Sequence, residues 1–202
     1  DRIVSSPEEH VVDENLTILQ PLNIDYENEK AEFTLNISSD NKKQVKNLLG
    51  RIGDLKEKEL IALNPATSTE DKNWSEEKFA ELADWLNNNF NSIVFLLGGP
   101  TDKLKCENIC DMMESKAYNF AGKTNLKELA ELINKMDLII TGDTASLHIA
   151  MTVGTPLIGL YGPTSPDRYG PYQGNNYVIN SNKMSFITVN DVKDKVKKVY
   201  NN

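Results

Sequence analysis

The chain has 202 residues, and its 30 Asp and Glu against 22 Lys and Arg give a formal charge of −8, without the basic face that a nucleic-acid binder needs. It is long enough to bury a real core, and one domain with an appendage is expected. No apolar run reaches the ~18 residues of a membrane span, and DRIVSSPEEH lacks the basic and apolar regions of a secretory signal, so a cytoplasmic protein is expected.

Residues 1–37 are the least patterned. Leu16, Ile18, Leu19 and Leu22 share a helical face that Pro21 limits, and the acidic DYENEKAE that follows reads as linker. The spacing of Val45, Leu48, Leu49, Ile52 and Leu55 predicts an amphipathic helix over 38–56.

From residue 58 onward strands and helices alternate. Strands are predicted at 60–64 (LIALN), 92–98 (SIVFLLG), 117–122 (AYNFAG), 137–142 (DLIITG) and 156–162 (PLIGLYG). Helices with apolar residues three and four apart lie between them, at 75–90, 101–116, 125–136 and 144–154, and a last one at 188–200 carries Val189, Val192, Val196 and Val199. Ser75 is a candidate N-cap of the first of these, and Thr124 or Asn125 of the third. Cys106 and Cys110 sit four apart on a predicted helix with no His or further Cys nearby, so two half-buried thiols are expected rather than a disulfide or a metal pair. Strands that are apolar nearly throughout, alternating with helices, indicate a parallel sheet covered on both faces: an α/β, doubly wound, Rossmann-like domain with right-handed crossovers.

The polar residues gather where the strands end. After strand 137–142, Asp143, Thr144 and Ser146 open a helix whose unsatisfied N–H groups and dipole favour an anion, and His148 follows one turn on. After strand 60–64, the turn NPATSTEDKNW offers Thr67, Ser68 and Lys72 at the edge where open α/β sheets bind ligands, although it lacks the spacing of a Walker A loop. Gly98-Gly99-Pro100-Thr101-Asp102 and Gly122-Lys123-Thr124 repeat the arrangement after the second and third strands. Taken singly, each is an ordinary cap or turn, with Asp143 a helix cap and His148 a core imidazole. Four such turns at successive strand ends would line one crevice.

Residues 58–172, through NPATSTEDKNWSEEKFAELADWL, LGGPTD and FAGKTNLKELAELINKMDLIITGDTASLHIAMTVGTPLIGLYGPTSPDRYGP, resemble the C-terminal half of the lipopolysaccharide heptosyltransferases, glycosyltransferase family 9. The resemblance implies a B-type glycosyltransferase fold, in which two Rossmann-like domains face each other across a cleft and the C-terminal one holds the nucleotide-sugar. It implies ADP-heptose as donor, a lipopolysaccharide core acceptor, and no metal or other cofactor. By matching motif, Thr67 and Ser68 would contact the diphosphate, Lys72 would neutralise its developing charge, and Asp143 would hold the heptose hydroxyls. Thr144 and Ala145 would give backbone N–H groups to phosphate oxygens, His148 would lie against the same groups, and Asp102 would stand near the ribose. Gly162-Pro163-Thr164 and Pro166-Asp167-Arg168 would form a loop closing over the site.

The family's general base is an acidic residue of the N-terminal domain, to which nothing in this sequence corresponds. Residues 1–30 are therefore expected to be the end of that domain and the linker, and residues 31–202 the donor-binding domain. Ala145 replaces a Gly common in relatives, and Ser146-Leu147 departs from the commoner Gly-Pro type. Acceptor contacts would fall to the other domain, and contact of the full-length protein with the inner membrane surface is left open. Two other readings fit the same residues: a non-catalytic nucleotide-sugar binding module, and a sugar-nucleotide epimerase-like domain.

Overall fold

The computed structural model describes residues 9–24, 31–172 and 176–201. Six parallel strands form one sheet: β1 (Glu59–Asn64), β2 (Ser92–Leu96), β3 (Ala117–Asn119), β4 (Leu138–Gly142), β5 (Leu157–Tyr161) and β6 (Asn176–Asn180). Their order across the sheet is β3-β2-β1-β4-β5-β6, the doubly wound order of dinucleotide-binding domains.

Eight α-helices occur among the described residues: α1 (Val11–Leu16), α2 (Ser39–Gly50), α3 (Glu76–Phe90), α4 (Lys103–Met112), α5 (Leu126–Ile133), α6 (Ala145–Val153), α7 (Pro166–Tyr169) and α8 (Val189–Tyr200). Right-handed crossovers explain which face each one covers. The path β1-β2-β3 runs one way across the sheet and puts α3 and α4 on one face, whereas β4-β5 runs the other way and puts α6 on the opposite face. The core divides accordingly. Phe79, Leu82, Leu86, Cys106, Ile109, Val192 and Val196 pack on Ile61, Leu63, Val94, Leu96 and Ile140, while Val45, Ala130, Ile133, Leu147 and Ala150 pack on Ala62, Phe95, Ile139 and Leu157. Alternate residues of β1, β2 and β4 thus feed the two layers, which is why those strands read as unbroken apolar runs.

The five predicted strands are all present. β6 is additional. As an edge strand it is only half-buried, and its sequence NYVIN has Asn at both ends, so no apolar run announces it. Tyr177 nevertheless packs toward one layer and Val178 toward the other.

The helices follow their caps. Ser75 Oγ accepts from the Lys78 N–H at 3.4 Å, and Asn125, rather than Thr124, caps α5 by accepting from the Lys127 and Glu128 N–H groups, both at 3.0 Å. The lead-in helix is shorter than its periodicity suggests. It stops at Gly50, and Gly53 adopts φ +115°, a turn conformation that only glycine takes without strain, while Ile52 and Leu55 still pack against the core from outside the helix.

Near the start, Pro21 does interrupt the helical face: α1 ends at Leu16 and a 3-10 turn follows over Thr17–Leu22. Of the predicted linker, residues 25–30 lie outside the described residues. Cys106 is buried, Cys110 half-buried, and both are free thiols. Among the described residues no helix is long and apolar enough to cross a membrane.

Candidate functional site

Strands β1 and β4 are central neighbours whose outgoing connections run in opposite directions, and a doubly wound sheet leaves a crevice at that point, outside the carboxyl ends of the strands. Lys72 comes from the loop after β1 and Asp143 from the turn after β4. Although 71 residues separate them, Lys72 Nζ and Asp143 Oδ2 lie 2.9 Å apart, with side chains 22% and 14% exposed. Two charges this withdrawn from water, yet still open on one side, form a polar site rather than a surface ion pair.

The loop that presents Lys72 is closed on itself. Asn73 Oδ1 accepts from the Thr67 N–H at 3.1 Å, and the Thr67 hydroxyl lies 2.7 Å from the Thr69 carbonyl and 2.9 Å from Asn73 Oδ1. A hydroxyl has one hydrogen, so Thr67 serves a ligand as a donor only by releasing one of these partners. Ser68 is exposed beside it.

A 3-10 turn over Glu70–Lys72 leads to Trp74, which is 2% exposed, gives its indole N–H to the Ile187 carbonyl at 2.8 Å and packs edge-on against Phe79. The loop can lie on the end of β4 because residue 142 is glycine. A Cβ there would stand 2.8 Å from Thr67 Cγ2, too close for any side chain without displacing the loop.

Across the crevice, α6 begins at Ala145 with Thr144 as its N-cap residue, and the Thr144 side chain makes no bond to the first-turn amides. The caps Ser38, Ser75, Asn125 and Thr188 all make such bonds on their own helices. The Thr144 hydroxyl is instead engaged from below. Asn64 Nδ2 lies 3.3 Å from it and 2.9 Å from Ser146 Oγ, and the Thr141 hydroxyl lies 3.1 Å from it. First-turn N–H groups without a side-chain cap, next to an ammonium, form a place where an anion is stabilised. Ala145 is exposed at the first helical position.

His148 is half-buried one turn into α6. Burial holds its pKa below the ordinary imidazole value; the neighbouring Asp143 carboxylate opposes this shift and His10 adds to it. The imidazole is therefore neutral at pH 7 and can act there as a hydrogen-bond donor and acceptor rather than as a cation. Because the unfolded chain takes up this proton at higher pH than the folded one, acidification from about pH 7 toward pH 5 favours unfolding. A His148→Gln variant is expected to lose less stability over that interval than the parent protein, as measured by urea denaturation at the two pH values; equal losses would remove this role for His148.

Near Asp143 lies Tyr161. It is fully buried, it gives its hydroxyl hydrogen to the Tyr169 carbonyl at 3.1 Å, and burial and the Asp143 charge push its pKa well up. Sequence Pro166-Asp167-Arg168 is not an open loop but the start of the short helix α7. It is held by Tyr161 and by α1, through an ion pair between Arg168 and Glu14, a hydrogen bond from Tyr172 to Asp13, and His10 Nε2 at 3.1 Å from the Gly170 carbonyl.

The turns after β2 and β3 form a second group on the same sheet edge. The Gly122 N–H donates to the Gly98 carbonyl at 3.0 Å, and Asp102 Oδ2 accepts from the Gly99 N–H at 2.7 Å. Asp102 thus belongs to this neighbouring group and not to the Lys72–Asp143 cluster, with one carboxylate oxygen already fixing its own turn.

The structure joins Lys72 to Asp143, sets Thr67 against Gly142 at the end of β4 and His148 near Asp143, and adds Asn64, Asn73 and Thr141, which the sequence does not single out. Asn64 and Thr141 are paired across β1 and β4, and only the strand register shows that they share a face under α6. Among the described residues, no three His, Cys, Asp or Glu side chains gather closely enough to hold a metal ion.

The chain is similar to known proteins in sequence and in fold. The chain is 36% identical over 127 residues to the lipopolysaccharide core heptosyltransferase OpsX of Haemophilus influenzae, a match covering 62% of this chain and 36% of OpsX. It is 32% identical over 169 residues to lipopolysaccharide heptosyltransferase 3 of Escherichia coli K12, covering 82% of this chain and 48% of that protein. The chain therefore spans about half or less of the length of these relatives. In fold it is similar to the family 9 glycosyl transferase of Veillonella parvula, at a TM-score of 0.89 and 24% identity over 98% of this chain and 62% of that one. It is also similar to the E. coli heptosyltransferase WaaC solved with ADP, at a TM-score of 0.73 and 21% identity over 98% of this chain and 59% of that one. The pattern that defines glycosyltransferase family 9 (heptosyltransferase) matches residues 1–198, and the chain belongs to that family.

Proposed function

We propose that residues 31–202 are the donor-binding domain of a heptosyltransferase, that the Lys72–Asp143 crevice receives the diphosphate and sugar of ADP-heptose, and that residues 1–30 close off a preceding domain and linker. The observation that carries this reading is the 2.9 Å approach of Lys72 to Asp143 beside the uncapped start of α6. Further support comes from the shared fold of WaaC, which has been solved with ADP and with ADP-2-deoxy-2-fluoro heptose.

Breaking a sugar–diphosphate bond leaves negative charge on the departing oxygens. An ammonium and helix-start N–H donors already aimed at that position stabilise the charge as it grows, at no cost in reorganisation. In this reading Lys72 bridges the diphosphate and Asp143. The carboxylate of Asp143 accepts hydrogen bonds from heptose hydroxyls, which fixes the sugar's orientation, and the N–H groups of Thr144 and Ala145 take phosphate oxygens. Thr67 and Ser68 add hydroxyls from the opposite loop, and neutral His148 lies against the same groups. Asp102, on the adjacent strand end, is placed toward the ribose. The acid that deprotonates the acceptor, and the contacts to a lipopolysaccharide core acceptor, come from the other domain.

Calorimetric titration of the chain with ADP, UDP and GDP tests the donor. The expected outcome is binding of ADP with no detectable binding of UDP or GDP. Binding of UDP in preference to ADP would overturn the ADP-heptose assignment, and binding of none of the three would overturn the nucleotide-sugar reading.

A further inference from the structure

Asn64, the last residue of β1, is 5% exposed, and every polar atom of its side chain is engaged. Its Oδ1 accepts from the Ala66 N–H at 3.4 Å, and its Nδ2 donates to Ser146 Oγ at 2.9 Å and Thr144 Oγ1 at 3.3 Å. The amide orientation follows from chemistry. A backbone N–H can only donate, so the oxygen must face Ala66 and the nitrogen must face the two hydroxyls. One side chain thereby ties the loop that carries Lys72 to the first turn of the helix that follows Asp143.

The tie continues into the strand below. The Thr141 hydroxyl donates to the Gly142 carbonyl at 3.2 Å, which leaves its oxygen to accept the Thr144 hydrogen, so the Thr144 hydroxyl is held between Asn64 and Thr141. Thr141, the residue paired with Asn64 across the strands, is fully buried, and its hydroxyl gives the Thr144 oxygen a second neighbour at 3.1 Å. A first turn of α6 whose backbone N–H groups carry no side-chain cap complements a ligand made of acceptors only, such as a diphosphate.

We infer that Asn64 is a positioning residue: it locks the start of α6 against the β1 loop and so holds the uncapped first-turn N–H groups in place for a phosphate-bearing ligand. The inference rests on the donor-site reading for its ligand, though not for its mechanics.

Two measurements on the chain separate these. Hydrogen exchange of peptides covering residues 143–149 needs no ligand. Asn64→Ala is expected to raise exchange there roughly tenfold while leaving the interior of α3 unchanged. Affinities for ADP and adenosine, by ligand-observed NMR titration, read the second half. Asn64→Ala is expected to weaken ADP roughly tenfold with adenosine unaffected. Asn64→Asp, of the same shape but accepting where the amide donates, is expected to weaken ADP roughly 100-fold.

Ser146→Ala removes the same hydrogen bond from its other end without burying a charge, and a roughly threefold selective loss of ADP is expected even if an Asn64 variant folds poorly. Equal loss of ADP and adenosine, or no loss of either, would overturn the selection of phosphate, and unchanged exchange would overturn the lock on α6. If the parent chain binds no ADP, the donor-site reading fails by itself, and exchange at residues 143–149 alone decides whether Asn64 positions the helix.

Discussion

Replacing Lys72 with alanine is expected to lower kcat of the full-length enzyme by roughly 100-fold or more, the usual effect of removing one preorganised donor from a developing anion. The reasoning starts from the 2.9 Å contact with Asp143 at the junction of β1 and β4. On the proposed reading donor binding and bond cleavage both use the ammonium, but charge on the leaving diphosphate is greatest in the transition state, so kcat should suffer more than KM. Lys72→Arg keeps the charge and spreads it over a planar fork that does not match a site built around one ammonium, so a large part of the loss is expected to remain. Lys72→Ala also strips the 14% exposed Asp143 carboxylate of its partner, and a stability loss of about 1 kcal/mol should accompany it. Steady-state kinetics with ADP-heptose decide the matter, and an unchanged rate in the Lys72→Ala protein would remove Lys72 from the chemistry.

The largest effect on stability is expected at Trp74. Truncation to alanine empties a site that is 2% exposed, breaks the edge-on contact with Phe79 and takes away the indole donor to the Ile187 carbonyl. A loss of about 3–5 kcal/mol follows from the cavity and the lost transfer energy, and the thermal midpoint should fall by on the order of 10 °C. Trp74→Phe keeps much of the apolar contact and loses the N–H, so about 1–2 kcal/mol is expected. Trp74 also terminates the loop that presents Lys72. In Trp74→Ala, ADP affinity should therefore drop at temperatures where circular dichroism still reports a folded protein. A midpoint within a degree or two of the parent would show that the indole is not the anchor of this loop.

The sheet was legible in the sequence because its strands are buried on both faces and read as apolar runs, with Ile61 and Leu63 serving one layer and Ala62 the other. β6 was not, because an edge strand with Asn at both ends carries no such run. Lys72 and Asp143 could be singled out because each is a charged residue just past a buried strand, and parallel strands must bring such positions to one edge. Asp102 meets the same rule, and the structure puts it in the neighbouring group of turns, where it accepts from the Gly99 N–H. The rule finds an edge but not a place along it. Asn64 and Thr141 are not legible because a polar residue at the end of an apolar run looks like the beginning of a turn. Their significance lies in the pairing of β1 with β4, which no local pattern encodes.

That pairing also dictates an order of assembly. During synthesis β1, β2 and β3 can associate as soon as residue 119 has emerged, but the other side of β1 stays bare until residues 138–142 arrive to cover it. A half-built sheet of this kind exposes an open edge to other chains, and such long-range parallel pairing is slow. A molecule bridging the loops after β1 and β4 would bind only once that seam has closed, so its uptake would act as a clasp that stabilises the folded domain by mass action.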